Sequence, residues 1–210
     1  MSNLDSTLLH IYRLLLRTPK IAAHLPEILD LVMHSTNAER GQIELYDEQG
    51  DLRFREARKE GKEIRDRRES KISGKILAWV WENKRSVLSE DARRDPSFRG
   101  SGTVVGQNVL SVICAPVCDA RGLFGVLYLD SSKREALFNE NTKRFLDELV
   151  EQLAPALRQR MAEEAKLRSI ALELRNTHAR ELGYRTLIGT SPAIKRVRDD
   201  IEFANLHDDD

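Results

Sequence analysis

Between residues 41 and 57 the spacing of apolar side chains changes from threes and fours to strict alternation, and this change limits the fold more than any other feature. "GQIELYDEQGDLRFREA" sets Ile43, Leu45 and Phe54 on one side and Gln42, Glu44, Tyr46, Arg53 and Arg55 on the other. That is the period of two that a strand imposes. "DEQGD" holds the turn residues that close the two halves into a hairpin. Setting Leu45 opposite Phe54 puts Ile43 opposite Glu56, Glu44 opposite Arg55 and Tyr46 opposite Arg53. The pattern returns in "LSVICAPVC" and "LFGVLYLDS", joined at "DARG", where Leu127 and Leu129 alternate with Val126, Tyr128 and Asp130. A short strand, "SVLS", precedes them. An antiparallel sheet with one apolar and one largely polar face is expected. The polar face is either simply solvated or, if something covers it, a pocket floor holding an acid, a phenol and two guanidiniums.

Helical spacing surrounds this sheet, so the fold class is α+β. "DSTLLHIYRLLLR" offers Asp5 or Ser6 as a cap and places Leu8, Ile11, Tyr12 and Leu15 at helical intervals. "IAAHLPEILDLVMHST" carries Leu25, Ile28, Leu29, Val32 and Met33, with Pro26 predicting a first regular turn near Leu25. "SGKILAWVWENK" has Ser73 as its cap and Ile76, Leu77 and Val80 facing inward. A long helical stretch spans residues 140–182. Leu146, Leu149, Val150, Leu153 and Leu157 form one seam, and Leu167, Ile170, Leu174 and His178 a looser one, with a phase break between them and Pro155 inside. A narrow apolar seam bordered by Glu, Arg and Lys suits a parallel two-helix coiled coil. The predicted homodimer interface is therefore Leu146, Leu149, Leu153 and Leu157, joined by Leu8, Ile11 and Leu15.

Composition excludes several partners. Lys and Arg total 34 and so do Asp and Glu, so no global field draws the chain to nucleic acid or membrane. No apolar run approaches the ~20 residues of a bilayer span, and the first residues lack a cleavable signal pattern. A cytoplasmic location is expected. Cys114 and Cys118 lie four residues apart in one predicted strand, about 13 Å between Cα atoms. A disulfide needs less than about 7 Å, so a buried small hydrophobe and a loop thiol are expected. "REARKEGKEIRDRRESK" lacks the glycine-rich nest or interleaved aromatics of a phosphate site, and a solvated, mobile segment is expected there.

Three further stretches resemble the GAF domains: "ISGKILAWVWENKRSVLSEDARRDPSF", "NVLSVICAPVCDARGLFGVLYLDSS" and "LFNENTKRFLDELVEQLA". The likeness covers roughly residues 20–155. It implies a small-molecule-binding or dimerising sensor module, an antiparallel sheet flanked by helices. It also implies a ligand held between the sheet and the segments 72–83 and 90–107. The candidate ligand-binding residues are then Glu44, Tyr46, Arg53, Arg55, Phe98 and Tyr128. The cyclic-nucleotide signature of some relatives is not reproduced: Asn141 stands at the usual Asp after Phe138, and Asp130 and Ser131 stand at the usual Asn-Lys. His10, His24, His34, His178 and His207 all lie outside the pocket segments, so no haem, iron, bilin or other cofactor site is expected. Free-methionine-sulfoxide reductases share the fold but carry cysteines on other elements than the strand holding Cys114.

"LIGTSPAIKRVRDDIEFANLHDDD", residues 187–210, resembles the first residues of the AAA+ domain of sigma-54-dependent transcription activators. No G-x-x-x-x-G-K-[ST] phosphate loop occurs in the chain, so no ATPase activity is expected of it. The organisation this implies is an N-terminal helix (1–18), a GAF domain (19–155), a signalling helix (156–183) and the incomplete start of the AAA+ domain (184–210). The parent would bind ATP, enhancer DNA and sigma-54 RNA polymerase through parts absent here. Two other classes stay open. One is an enzyme, such as a GAF reductase or part of a histidine kinase or cyclase. The other is a structural dimerisation module with an empty pocket.

Overall fold

The computed structural model describes residues 3–17, 20–66, 69–98, 100–185 and 194–197, apart from the side chains of Asn3 and residues 177–185. The chain divides into two compact units, Met1–Met161 and Ala162–Asp210. In the first unit the period-two segments form a six-stranded sheet: β1 (Arg40–Tyr46), β2 (Leu52–Lys59), β3 (Lys62–Glu63), β4 (Val87–Ser89), β5 (Ser111–Asp119) and β6 (Gly122–Ser131). Its order is β3-β2-β1-β6-β5-β4, and every pairing is antiparallel. At Gly125 the main chain of β1 comes so close that a Cβ would lie 2.5 Å from the Glu44 carbonyl oxygen, and backbone cannot yield as a flexible side chain can.

The first hairpin keeps the expected register at Ile43–Glu56, Glu44–Arg55 and Leu45–Phe54, and then breaks it. Tyr46 pairs with Leu52 rather than Arg53, because the register shifts between Leu45 and Tyr46. The cause lies in the turn. The Asp47 carboxylate accepts the N–H groups of Gln49 (3.0 Å) and Asp51 (2.8 Å), and Asp51 returns its carbonyl to the Asp47 N–H (2.9 Å). This tight Asx turn leaves one residue more on β2 than on β1.

The mixed-charge segment after the hairpin is more ordered than expected. β2 runs on through Lys59 and turns at Glu60 and Gly61, both at positive φ, into β3. Arg58 binds Asp30 at 2.6 Å, which ties this strand to the helix beneath it. Residues 67 and 68 lie outside the described residues.

Three helices cover the apolar face: α1 (Asn3–Arg17), α2 (Leu25–Thr36) and the first part of α5 (Glu140–Arg185). A single 3-10 turn, Ile21–Ala23, precedes α2, and Pro26 stands in its first turn, where a missing N–H leaves nothing unsatisfied. The core here combines Ile43, Leu45, Phe54, Leu127 and Leu129 from the sheet with Ile28, Leu29 and Val32 from α2. It also takes in all seven residues expected at the dimer interface. Leu8, Ile11, Leu15, Leu146, Leu149, Leu153 and Leu157 are buried inside one chain. Their spacing is that of a seam, but the seam packs on the chain's own sheet and helices, so the coiled-coil interface predicted through them is corrected. The exposed apolar residues of α1 are instead Leu9, Tyr12 and Leu16, and the Tyr12 hydroxyl donates to the Gln152 carbonyl at 2.7 Å.

The opposite face is covered by α3 (Gly74–Asn83), α4 (Gly102–Gly106) and the loops beside them. Ile72, Ile76, Val80, Phe98 and Val104 pack here on Val112, Cys114, Val126 and Tyr128. Ser73 stands at the cap position of α3 but does not cap it. Its buried hydroxyl meets that of Ser101, at the start of α4, at 2.8 Å and so fastens the two covering helices together. Both cysteines are free, Cys114 buried and Cys118 partly so.

In the second unit the described part of α5 carries an Arg168–Glu164 pair at 2.6 Å and exposed Leu167, Ile170, Leu172 and Leu174. His178 and most of residues 187–210 lie outside the described side chains and residues.

Candidate functional site

Alternation along β1 projects Arg40, Gln42, Glu44 and Tyr46 onto the covered face, where the sheet register sets Gln42 beside Tyr128 and Arg40 beside Asp130. Two polar clusters result. In the first, the Glu44 carboxylate accepts a hydrogen bond from the Gln42 amide and another from the Tyr46 hydroxyl, each at 2.6 Å, and the Arg55 Nε stands 3.5 Å away. Arg55 gives its Nη2 to the Ser70 carbonyl (2.7 Å) and hydroxyl (2.8 Å). In the second, Arg40 binds Asp130 through Nε (2.8 Å) and Nη2, the Tyr128 hydroxyl donates to Asp130 at 2.6 Å, and Arg40 Nη1 reaches the Glu69 carbonyl at 2.6 Å.

Burial dominates the electrostatics. It pushes the Tyr128 and Tyr46 phenols up, and in each case the neighbouring carboxylate adds to the effect. It also raises the Asp130 carboxyl above the usual carboxylate range, against the opposing pull of Arg40. The Cys114 thiol, wholly buried, is pushed up by burial and then by Glu44, which disfavours its thiolate form.

Of the six candidate ligand-binding residues, the structure brings Glu44, Tyr46 and Arg55 together and sets Tyr128 in the adjoining cluster. Phe98 belongs to the apolar cover and is 1 % exposed. Arg53 falls elsewhere: displaced by the register shift, it pairs with Asp47 at 2.5 Å in the hairpin turn, half in solvent. Sequence reasoning missed Arg40, although it continues the alternation of Gln42 and Glu44 by one more step. It also missed Ser70, for which the sequence carries no periodic signal.

An aromatic rim borders the first cluster. The Tyr46 ring meets Trp81 of α3 edge-on, centroids 5.3 Å apart, and Trp81 and Leu52 are 37 % and 46 % exposed. An open depression of about 670 Å³ lies apart from these clusters, at the end of α2 between Glu39, Glu60 and Lys133. Its charges answer one another: Lys133 pairs with Glu60, and Glu39 accepts the Ser132 N–H at 3.0 Å. Among the described residues no group of three or more His, Cys, Asp or Glu is placed to hold a metal, and no helix is long and apolar enough to cross a membrane.

Known proteins share this architecture. The free methionine-R-sulfoxide reductase of Neisseria meningitidis, solved with its substrate, superposes with a TM-score of 0.55 at 20% identity, over 74% of this chain and 90% of its own. The GAF domain of an Acinetobacter phosphoenolpyruvate-protein phosphotransferase gives 0.56 at 20% identity, over 79% and 99%. The A. aeolicus nlh2 GAF domain, in an inactive state, gives 0.55 at 15% identity, over 75% and 97%. At such identities the likeness speaks to fold alone. No curated protein matches the chain. The GAF domain family model matches residues 21–158, well over half of the sequence and all of the sheet. The chain belongs to the GAF domain family.

Proposed function

We propose that this chain is a sensor module that binds a small molecule with a polar or anionic group on the covered face of the sheet. The carrying observation is the Glu44–Tyr46–Arg55 cluster, a set of charged and phenolic groups held under a cover where an apolar layer would pack more simply. A thermal-shift screen against a metabolite library tests it. A ligand raises the melting temperature by mass action. Arg55→Glu abolishes the shift, whereas Arg53→Glu, outside the cluster, leaves it intact. If both variants respond as the unaltered chain does, the site lies elsewhere.

The module works as a homodimer in this reading. Support comes from Leu9, Tyr12 and Leu16, an apolar stripe at helical spacing on α1, and from Leu167, Ile170 and Leu174 in the second unit. The regulatory role we assign, control of the AAA+ ATPase of a cytoplasmic sigma-54-dependent activator, rests on the sequence "LIGTSPAIKRVRDD" and its place after a sensor and a long helix. The purified chain turns over no ATP in this reading, and turnover that copurifies with it contradicts the assignment. Thiol-based catalysis by the chain itself is disfavoured in this reading, since Cys114 is wholly buried in β5 and burial pushes both thiols up.

One observation favours a second reading, a dimerisation module without a ligand: both Glu44 oxygens already hold hydrogen bonds from the chain. A screen in which no metabolite shifts the melting temperature supports that reading.

A further inference from the structure

We infer that the depression at the end of α2 is a binding site in its own right, and that it takes a zwitterion, a free α-amino acid with an aliphatic side chain. It is separate from the Glu44–Tyr46–Arg55 cluster, and neither site needs the other.

Hydrogen bonds fix every wall of the depression. The buried Ser131 hydroxyl accepts the N–H groups of Lys133 (3.2 Å) and Arg134 (3.1 Å), and so sets the turn that carries both cations. The Glu39 side chain, 8% exposed, accepts the Ser132 N–H at 3.0 Å and the Ser132 hydroxyl at 3.1 Å. The Glu60 N–H donates to the Glu39 carbonyl at 3.0 Å, which seats the β2–β3 turn beside it. Arg58 joins Asp30 of α2 to the Gly61 carbonyl, each at 2.6 Å, and ties the helix wall to that turn. The enclosed volume, about 670 Å³, suits a small molecule, for which sites of roughly 300–1,000 Å³ are usual.

The lining holds both signs of charge over an apolar floor. Asp30 is answered by Arg58, and Glu39 by Ser132 and, at 3.6 Å, by Lys59. Glu60 and Lys133 answer one another as an exposed pair, 55% and 65% in solvent, a tie that holds weakly and exchanges partners readily. Beside them Arg134 is exposed and has no ion-pair partner among the described residues. A ligand carboxylate meets Lys133 and Arg134, and an ammonium on the same carbon takes the freed Glu60. The C-terminal end of α2 favours that positive charge. One ion pair is thus exchanged for two. A lone anion leaves Glu60 without its lysine, and a lone cation leaves Arg134 unanswered, so each single charge is selected against. Met33, Ala38 and Leu137 give the aliphatic side chain its surface.

Amide chemical-shift titration of the full chain by NMR tests the site, with L-norleucine as the probe and hexanoate and pentylamine as its singly charged halves. Norleucine is expected to shift the signals of Asn37, Gly61 and Lys133 and to bind about tenfold more tightly than either half. Norvaline, one methylene shorter, binds about threefold more weakly. Two variants at exposed positions follow the charges one at a time. Glu60→Gln weakens norleucine about tenfold and removes its advantage over hexanoate, and Arg134→Gln weakens it similarly and narrows its advantage over pentylamine. No shift of these signals, halves that bind as well as norleucine, or unchanged affinity in both variants overturns the inference. Shifts confined to Gln42, Glu44 and Tyr46 overturn it too, and leave the sensor reading standing.

Discussion

Arg40 and Asp130 face each other across β1 and β6 with side chains 11% and 4% exposed, so each depends on the other for its place out of water. Removing one partner leaves a buried charge, at a cost of about 3–5 kcal/mol, whereas an apolar replacement of both is often nearly neutral. Arg40→Ala is therefore expected to lower the urea midpoint sharply, and Arg40→Met with Asp130→Leu to recover most of the loss. Asp119 makes a pH-dependent case. Burial alone would raise its carboxyl, but hydrogen bonds from Arg158 and from nearby backbone N–H groups hold it below the usual range. A depressed carboxyl contributes stability that is complete above its unfolded pKa of about 3.9 and is lost as pH falls through the lower folded value. The unaltered chain is expected to lose stability more steeply below about pH 4 than Asp119→Asn. At this scale sequence and structure part most clearly. Glu44 and Tyr46 could be read from alternation, because period two is a property of the strand itself. Arg53 could not be placed, since its position depends on how the Asp47 carboxylate folds the turn. Ser70 could not be found, since it lies on no helix or strand and so has no period.

The helices were located by their spacing, and what they face was misjudged for a physical reason. A stripe of leucines reports that a helix buries one side, and carries no information on whether the cover is a partner chain or the chain's own sheet. Leu149 and Leu153 lie 0% and 3% exposed in the core, so Leu149→Ala is expected to cost about 2–5 kcal/mol in a denaturation curve. The same pair changed to Asp should abolish folding rather than release a folded monomer. The α1 stripe behaves in the opposite way. Leu9→Glu with Leu16→Glu is expected to leave the melting temperature within a few degrees and to shift light-scattering mass from dimer to monomer. If the mass is unchanged, the dimer forms through another surface.

For the molecule as a whole, the first unit encloses both hydrophobic cores, one on each side of the sheet. Residues 1–161 alone are expected to unfold cooperatively, with a melting temperature close to that of the full chain by circular dichroism. The α+β architecture and the antiparallel pairings were legible because they follow from residue periodicity. The full cover of the polar face was not, since α4 is too short to show a period.

Alternation also divides the freedom to vary. Neighbouring residues of β1 serve opposite faces: Gln42, Glu44 and Tyr46 stand under the short cover, and Ile43 and Leu45 under the long helices. If the proposed site is right, a codon change at Glu44 retunes which chemical group is welcome without touching one side chain of the helix-packed core. A change at Leu45 is punished wherever the fold is needed, whatever the signal. A lineage of such domains can therefore drift rapidly in what it detects while its scaffold stands still, and low sequence identity between relatives of one shape is the expected record of that history.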